Sequence, residues 1–249
     1  MKTVSLVIPA RMDSKRFHGK LLELYRGKEI LRHVLEQAHR IDVPSLDVWV
    51  ATDSEIISSK VIDWGGKVFM SQPGLNNGTE RVAEFSRSIP KDFYVNVQGD
   101  DPTISLEVMI KTVENLLENK YQVVTPCYKI TDENVFMDAN KVKLVKKVSN
   151  SVIYFSRSPI PNLAGLQNME KNSANVDYSH FLGHIGVYGY TYEALQIYNA
   201  LPESSLERIE KLEQLRFIEN GIDVGTFLVD FKPSAVDCPK DLQELNGLR

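Results

Sequence analysis

The chain has 249 residues, 43% of them hydrophobic and 25% charged, and carries a formal net charge of −4. That length fits one large domain or two small ones and buries a substantial core without disulfide staples. The acidic balance excludes nucleic acid as the main partner, so any anion site has to be a local concentration of cations.

The first strand-like run, Val4 to Pro9, enters without a signal-peptide core, and no stretch approaches the roughly 20 apolar residues that span a bilayer. Two distant cysteines, Cys127 and Cys238, make neither a metal spacing nor a disulfide framework. A cytoplasmic protein with no membrane insertion is expected. The run breaks into Arg11-Met-Asp-Ser-Lys-Arg-Phe-His-Gly-Lys20, after which Ile30, Val34, Leu35 and Ala38 fall at helical spacing. A second strand, Leu46 to Ala51, ends at Thr52-Asp53-Ser54, a cap for a helix over 55–64 that Gly65-Gly66 closes. A short strand at 67–70, a loop at 73–78 and a helix opening at Thr79-Glu80-Arg81 follow.

Phe93 to Val97 is the next strand, with Asn96 its one strongly polar residue, and Gln98-Gly99-Asp100-Asp101-Pro102 ends it. A helix over about 106–119 and a strand over 123–128 complete a first half in which strand and helix alternate. That is the pattern of a parallel sheet covered on both faces. The second half reads differently. Residues 142–148 and 152–155 flank Ser149-Asn150-Ser151 as a hairpin, and the polar stretch 159–177 reads as a mobile loop or interaction segment. His184 to Tyr190 is a strand. Leu206, Ile209, Leu212, Leu215 and Ile218 recur every three residues down an expected helix that Gly221 ends. A last strand at 224–229 and a closing helix at 239–248 finish the chain. One compact unit over 1–249 is favoured, with an inserted hairpin and loop at about 140–190.

Several residue sets can carry chemistry. Arg11, Lys15, Arg16 and Lys20 put four cations in ten residues directly after the first strand. Ligands bind at that edge of open α/β sheets, so the loop is either a phosphate site or a solvated charge run. Neither a Walker A motif nor G-x-G-x-x-G is present, which disfavours P-loop and dinucleotide enzymes. Asp100 and Asp101 end a strand where a hard cation such as Mg²⁺ suits substrate phosphates, or else they simply close an Asp-Pro turn. Gly78-Thr79-Glu80-Arg81 offers free N–H groups at a helix start, a weak second anion site. His184 reads either as a substrate hydrogen-bond partner or as an ordinary core or surface histidine. Asp237 precedes Cys238-Pro239 and is either a helix cap or a second metal carboxylate.

Taken together, these residues resemble the cytidylyltransferases that activate 3-deoxy-manno-octulosonate (Kdo), the CMP-Kdo synthetases. The likeness runs in order through Pro9-Ala10-Arg11 with Ser14, Arg16, Gly19 and Lys20, then Ala51-Thr52-Asp53, Gly78-Thr-Glu-Arg81 and Val95-Asn-Val-Gln-Gly-Asp100. It continues through Tyr154-Phe-Ser-Arg157, His184-Ile-Gly-Val-Tyr-Gly-Tyr190, Leu212-Glu-Gln-Leu-Arg216 and Val236-Asp237. The resemblance implies a three-layer α/β/α sandwich with a mostly parallel, mixed sheet of the nucleotide-diphospho-sugar transferase type. It also implies a homodimer built through the inserted hairpin.

By the same likeness, Arg11, Lys20, Asp100 and Asp237 carry the transfer, and Asp100 and Asp237 ligate Mg²⁺. Ala10, Arg11, Arg16 and Lys20 hold CTP, helped by Thr52, Asp53, Gly78, Arg81, Gln98 and Asp100. The sugar acid meets Arg81, Gln98, Arg157, His184, Tyr188, Glu213 and Gln214. The implied reaction moves CMP from CTP to the anomeric hydroxyl with release of pyrophosphate, in lipopolysaccharide or capsule assembly. Two anionic reactants repel, so the chemistry needs cations that neutralise charge and hold the groups in line, and no protein nucleophile.

The sequence departs from the family at His18, where proline is usual, at Asp101 for glutamate, at Gly183 for arginine and at Cys238 for threonine. Loss of an arginine beside His184 raises the expectation of an amino-substituted sugar such as 8-amino-Kdo. The competing readings are a glycosyltransferase on a similar sheet and a CTP-binding regulator without turnover.

Overall fold

The computed structural model describes residues 2–13, 17–164 and 176–247. Arg16 and the central part of the expected loop, 165–175, therefore lie outside the described residues. Strand β1 (Val4–Ala10) is buried at nearly every position, as a strand covered on both faces must be. A single 3₁₀ turn (Lys20–Leu22) and the small hairpin β2 (Leu24–Tyr25) and β3 (Lys28–Glu29) lead into α1 (Ile30–Ala38). Ile30, Leu31, Val34, Leu35 and Ala38 form the buried stripe of α1.

Then come β4 (Leu46–Thr52), α2 (Glu55–Asp63), β5 (Lys67–Met70), α3 (Gly78–Ser88), β6 (Phe93–Val97), α4 (Leu106–Leu117) and β7 (Val123–Lys129). The expected cap is present: Ser54 accepts from the Ile57 N–H. The second half supplies α5 (Glu133–Met137), the hairpin β8 (Lys143–Lys146) and β9 (Val152–Ser156), then β10 (Leu182–His184) and β11 (Val187–Thr191). It ends with α6 (Tyr192–Ala200), α7 (Ser205–Glu210), α8 (Leu215–Glu219), β12 (Val224–Leu228) and α9 (Pro239–Leu245).

These strands form a mixed ten-stranded sheet in the order β5-β4-β1-β6-β11-β7-β10-β8-β9, with β12 beside β7. β5, β4, β1 and β6 are parallel, whereas β11 is antiparallel to both β6 and β7. One apolar cluster joins Leu31 of α1, Ile57 of α2 and Val108 of α4 on one face. A second joins Val82 and Phe85 of α3 to Leu195 and Tyr198 of α6 on the other. The result is an α/β/α sandwich.

The parallel register aligns Ala10, Thr52 and Met70 at one edge, with Val97 of β6 ending beside them. β11 enters at that same edge, because Val187 pairs with Val97. Two expectations are revised. The strand expected over 184–190 is broken at Ile185-Gly186: β10 pairs with β7 and β8, and β11 with β6 and β7. The helix expected over 206–218 is two short helices separated by Lys211 in the left-handed conformation, φ 57°. A strict three-residue repeat drifts around a helix of 3.6 residues per turn, and Ile209 accordingly lies 77% exposed.

Candidate active site

The carboxyl-end edge of the sheet gathers residues from three distant parts of the chain. Gly19, at φ 69°, turns the backbone so that Lys20 enters the cleft. The Lys20 ammonium donates to Asp100 Oδ2 at 2.5 Å and to the Val236 carbonyl at 2.8 Å. Asp237 Oδ1 lies 3.6 Å from the same nitrogen. The Val236 N–H in turn donates to the Asp100 carbonyl at 2.9 Å, pinning the two carboxylate-bearing segments together.

Asp237 is not the cap of α9. Asp241 reaches back to accept from the N–H groups of Asp237 and Cys238 at 2.7 and 2.8 Å, which releases the Asp237 carboxylate toward Lys20. The adjacent acids also divide their roles. Asp101 is buried and accepts from the Thr103 hydroxyl and N–H and from the Ser234 N–H, so it closes the turn. Burial raises its pKa, and the charge of Asp100 adds to that. Asp100 is the one that faces the cleft.

Two carboxylates around one cation are a donor set that Mg²⁺ accepts, with phosphate oxygens and water completing its shell. Asp100 and Asp237 are the residues that would hold it. No cluster of three or more metal-ligating side chains occurs among the described residues, so the protein alone provides no closed cage.

Arg11 follows Ala10 at the end of β1, largely exposed, and donates one bond, 3.3 Å to the Asn76 carbonyl. Gly78 opens α3 tight against the sheet: a Cβ there would lie 3.3 Å from the amide nitrogens of both Asn96 and Gln98. Gln98 continues toward the second half, its Cγ 3.4 Å from where a Cβ of Gly186 would sit. It therefore bridges the parallel half of the sheet and the β10–β11 break.

On the far side of Gln98, His184 Nε2 lies 3.0 Å from the Thr125 hydroxyl, among the rings of Phe155 and Tyr188. Thr125 directs its proton to the Val187 carbonyl at 2.8 Å, so Nε2–H donates to it and Nδ1 is left as the acceptor. Burial pushes the His184 pKa down to about 3, and the ring is neutral at ordinary pH. Tyr188 stacks on Tyr190, whose hydroxyl meets the Thr79 hydroxyl.

The helix start at 78–81 is not an open anion site. Glu213 Oε1 already accepts from the Thr79 N–H at 3.1 Å and from its hydroxyl at 2.5 Å. Burial raises the Glu213 pKa, against the lowering effect of those two bonds. Its neighbour Gln214 is 2% exposed, and its Nε2 has no hydrogen-bond partner.

Two of the expected arginines are committed elsewhere. Arg81 is buried, bound to Ser71 and to Asp53 at 3.1 Å, so both Asp53 and Arg81 serve to tie α3 to the ends of β4 and β5, beside buried Thr52. Arg157 donates to the carbonyls of Glu210, Ala139 and Lys211, which fastens the β8–β9 hairpin to the carboxyl end of α7. Gly183 also has a different meaning from the one expected. It pairs with Tyr128 on the face of β10 opposite His184, and a Cβ there would lie 2.3 Å from the Tyr128 ring. A side chain at 183 would not point toward His184, so the glycine gives no support to an amino-substituted sugar. Thr125 and the Val236 carbonyl give no signal in the sequence, where a lone threonine or a backbone oxygen stands out from nothing.

A doubly covered α/β sheet with a lysine and two carboxylates at its carboxyl edge is the architecture of nucleotidyltransferases, and a family model and relatives place the chain in that class. Residues 5–224 match the family model described as cytidylyltransferase. The chain is 37% identical over 245 residues to a 3-deoxy-manno-octulosonate cytidylyltransferase of Rickettsia bellii, covering 97% of this chain and 93% of that one. Among solved structures, a CMP:2-keto-3-deoxy-manno-octonic acid synthetase complexed with CTP superposes with a TM-score of 0.86 and 34% identity, covering 99% and 98% of the two chains. An inositol-1-phosphate CTP transferase from T. maritima shares the fold at a TM-score of 0.66 and 14% identity, over 100% and 96% of the two chains. The chain belongs to the cytidylyltransferase family, among the relatives that act on 3-deoxy-manno-octulosonate.

Proposed function

We propose that the protein transfers CMP from CTP to the anomeric hydroxyl of 3-deoxy-manno-octulosonate and releases pyrophosphate. The observation that carries this reading is the convergence of Lys20, Asp100 and Asp237 at the sheet edge. The full-length likeness to 3-deoxy-manno-octulosonate enzymes supports it. Asp100 and Asp237 would hold Mg²⁺, which supplies neutralisation of the triphosphate charge there. Lys20 and Arg11 bring further positive charge to the phosphates, Lys20 as a point charge and Arg11 as a fork exposed at the rim. Arg16 belongs to the same loop.

Ala10, Gly78 and Gln98 flank the space between nucleotide and sugar, and the absence of a side chain at Gly78 lets the start of α3 pack closely on Asn96 and Gln98. His184, Tyr188, Glu213 and Gln214 face the sugar acid. An unpartnered buried amide costs about 1–3 kcal/mol, and a sugar hydroxyl accepting from Gln214 Nε2 relieves that cost. Neutral His184 gives a sugar hydroxyl an acceptor at Nδ1. Thr52, Asp53 and Arg81 hold the nucleotide side from behind, and Arg157 fixes the hairpin that covers the sugar.

The proposal extends to a homodimer, because β9 ends the sheet and carries Ile153, 51% exposed, on an edge strand that invites pairing. A cytoplasmic setting fits two free cysteines and the use of CTP. No helix among the described residues is long and apolar enough to cross a membrane. The activated sugar then serves a glycosyltransferase of lipopolysaccharide or capsule assembly.

The test is pyrophosphate release from CTP and Mg²⁺ against a panel of ulosonic and sialic acids that includes 8-amino-Kdo. Release with Kdo, at a kcat/KM at least equal to that of the amino analogue, is expected. CTP binding without release on any acid overturns the proposal.

A further inference from the structure

The segment that carries Glu213 and Gln214 grips the first turn of α3 at two points. Glu213 takes the N–H and hydroxyl of Thr79, and Arg216, three residues on, reaches Glu80 Oε1 at 3.4 Å. Arg216 is firmly placed. It is 5% exposed, forks onto both Glu207 oxygens at 2.7 Å each, and its guanidinium lies 4.1 Å from the centre of the Tyr198 ring. The Tyr198 hydroxyl accepts from Asn77, the cap residue of α3, at 3.0 Å.

Glu80 also holds Asn76, whose side-chain amide donates to Oε2 at 3.2 Å and to Oε1 at 3.4 Å. Oε2 accepts from the Asn76 N–H at 2.8 Å, and the Asn76 carbonyl is the group that receives Arg11 at 3.3 Å. One continuous path therefore runs Arg216–Glu80–Asn76–Arg11, from the sugar-facing segment to the phosphate-facing rim. Lys20, Asp100 and Asp237 meet at the sheet edge through bonds that include neither Glu80 nor Arg216.

We infer that Glu80 and Arg216 are positioning residues that link the two substrate sites energetically, so that a sugar acid held by the Glu213–Gln214 segment tightens the binding of CTP. The inference rests on the proposed function. A sugar acid that takes up Gln214 Nε2 loads the end of a path that Arg216 and Glu80 already hold rigid, and the turn at Asn76 then sets Arg11 for the phosphates before CTP arrives. By reciprocity, CTP tightens the sugar acid by the same factor.

The experiment measures the dissociation constant of CTP by calorimetry with Mg²⁺ present. It is taken with and without saturating 2-deoxy-Kdo, which lacks the attacking hydroxyl and cannot react. In the unmodified protein the two constants differ by about fivefold or more. In Glu80→Gln, which keeps the side-chain shape and leaves Arg216 paired with Glu207, the ratio falls toward one while CTP still binds. Arg216→Lys, which keeps the charge and loses the fork, gives the same collapse. General loosening of the fold would weaken both constants and leave their ratio intact, so the ratio isolates the link. A ratio of one in the unmodified protein, or an undiminished ratio in Glu80→Gln, overturns the inference. A protein that binds no CTP at all instead overturns the proposed function beneath it.

Discussion

At the scale of single residues, chemically alike groups are separated by what they touch. Asp100 and Asp101 are neighbours, yet Asp101 spends one oxygen on Thr103 of its own turn and the other on the distant Ser234 N–H, while Asp100 meets Lys20. Arg11 and Arg81 are both arginines near the same edge, yet only Arg11 is exposed there. His184 shows burial acting on a titratable group directly. Its folded-state pKa of about 3 lies below the ordinary 6.5, so the unfolded chain binds more protons between those values. The stability from keeping the ring neutral is fully present above 6.5 and is lost as pH falls toward 3. The loss amounts to at most about 1.4 kcal/mol per pH unit. Denaturant titrations at about pH 7 and about pH 5 should show the advantage of the unmodified protein over His184→Asn shrinking at the lower pH. An advantage that stays constant would mean that His184 is not buried as a neutral ring.

At the scale of elements, the break between β10 and β11 does most to shape the surroundings of Gln98 and His184. Two residues without strand pairing, Ile185 and Gly186, let one segment serve β8 before the break and β6 after it, and they leave room for Gln98. The close approach of β10 to β7 needs a residue without Cβ at 183, because Tyr128 fills that space. Gly183→Ala should cost about 1–3 kcal/mol through this clash, and combining it with Tyr128→Leu should recover most of the loss. The check is a double-mutant cycle by chemical denaturation. Undiminished stability of Gly183→Ala would show that the ring is free to move aside.

Elements differed in how well they could be read. Val4–Ala10 and Phe93–Val97 were legible because both faces are buried and their apolar runs end at punctuating glycine or proline. Leu206 to Ile218 was misread because apolar spacing of three imitates a helix, whereas the segment bends at Lys211 so that Glu213 can reach Thr79.

At the scale of the whole molecule, the parallel half of the sheet ends at the edge where Lys20, Asp100 and Asp237 meet, and the antiparallel half brings β11 to the same edge. The candidate site was legible where a motif sits at a strand end, as with Lys20 and Asp100. It was illegible where pairing decides the role: nothing in the order of residues says that Arg157 closes on backbone carbonyls or that Glu80 joins Arg216 to Asn76. The order of residues equally allows Asp237 to cap the last helix, a role that Asp241 takes in the structure.

The central claim is that Asp100 and Asp237 act as one centre around Lys20, and turnover in single and double variants tests it most directly. Asp100→Asn, Asp237→Asn and the double variant should each release pyrophosphate at least about a thousandfold more slowly than the unmodified protein. The double variant should be hardly slower than either single one, because groups acting as a unit are not additive. Near-normal release by Asp237→Asn, with the loss confined to Asp100→Asn, would contradict the account.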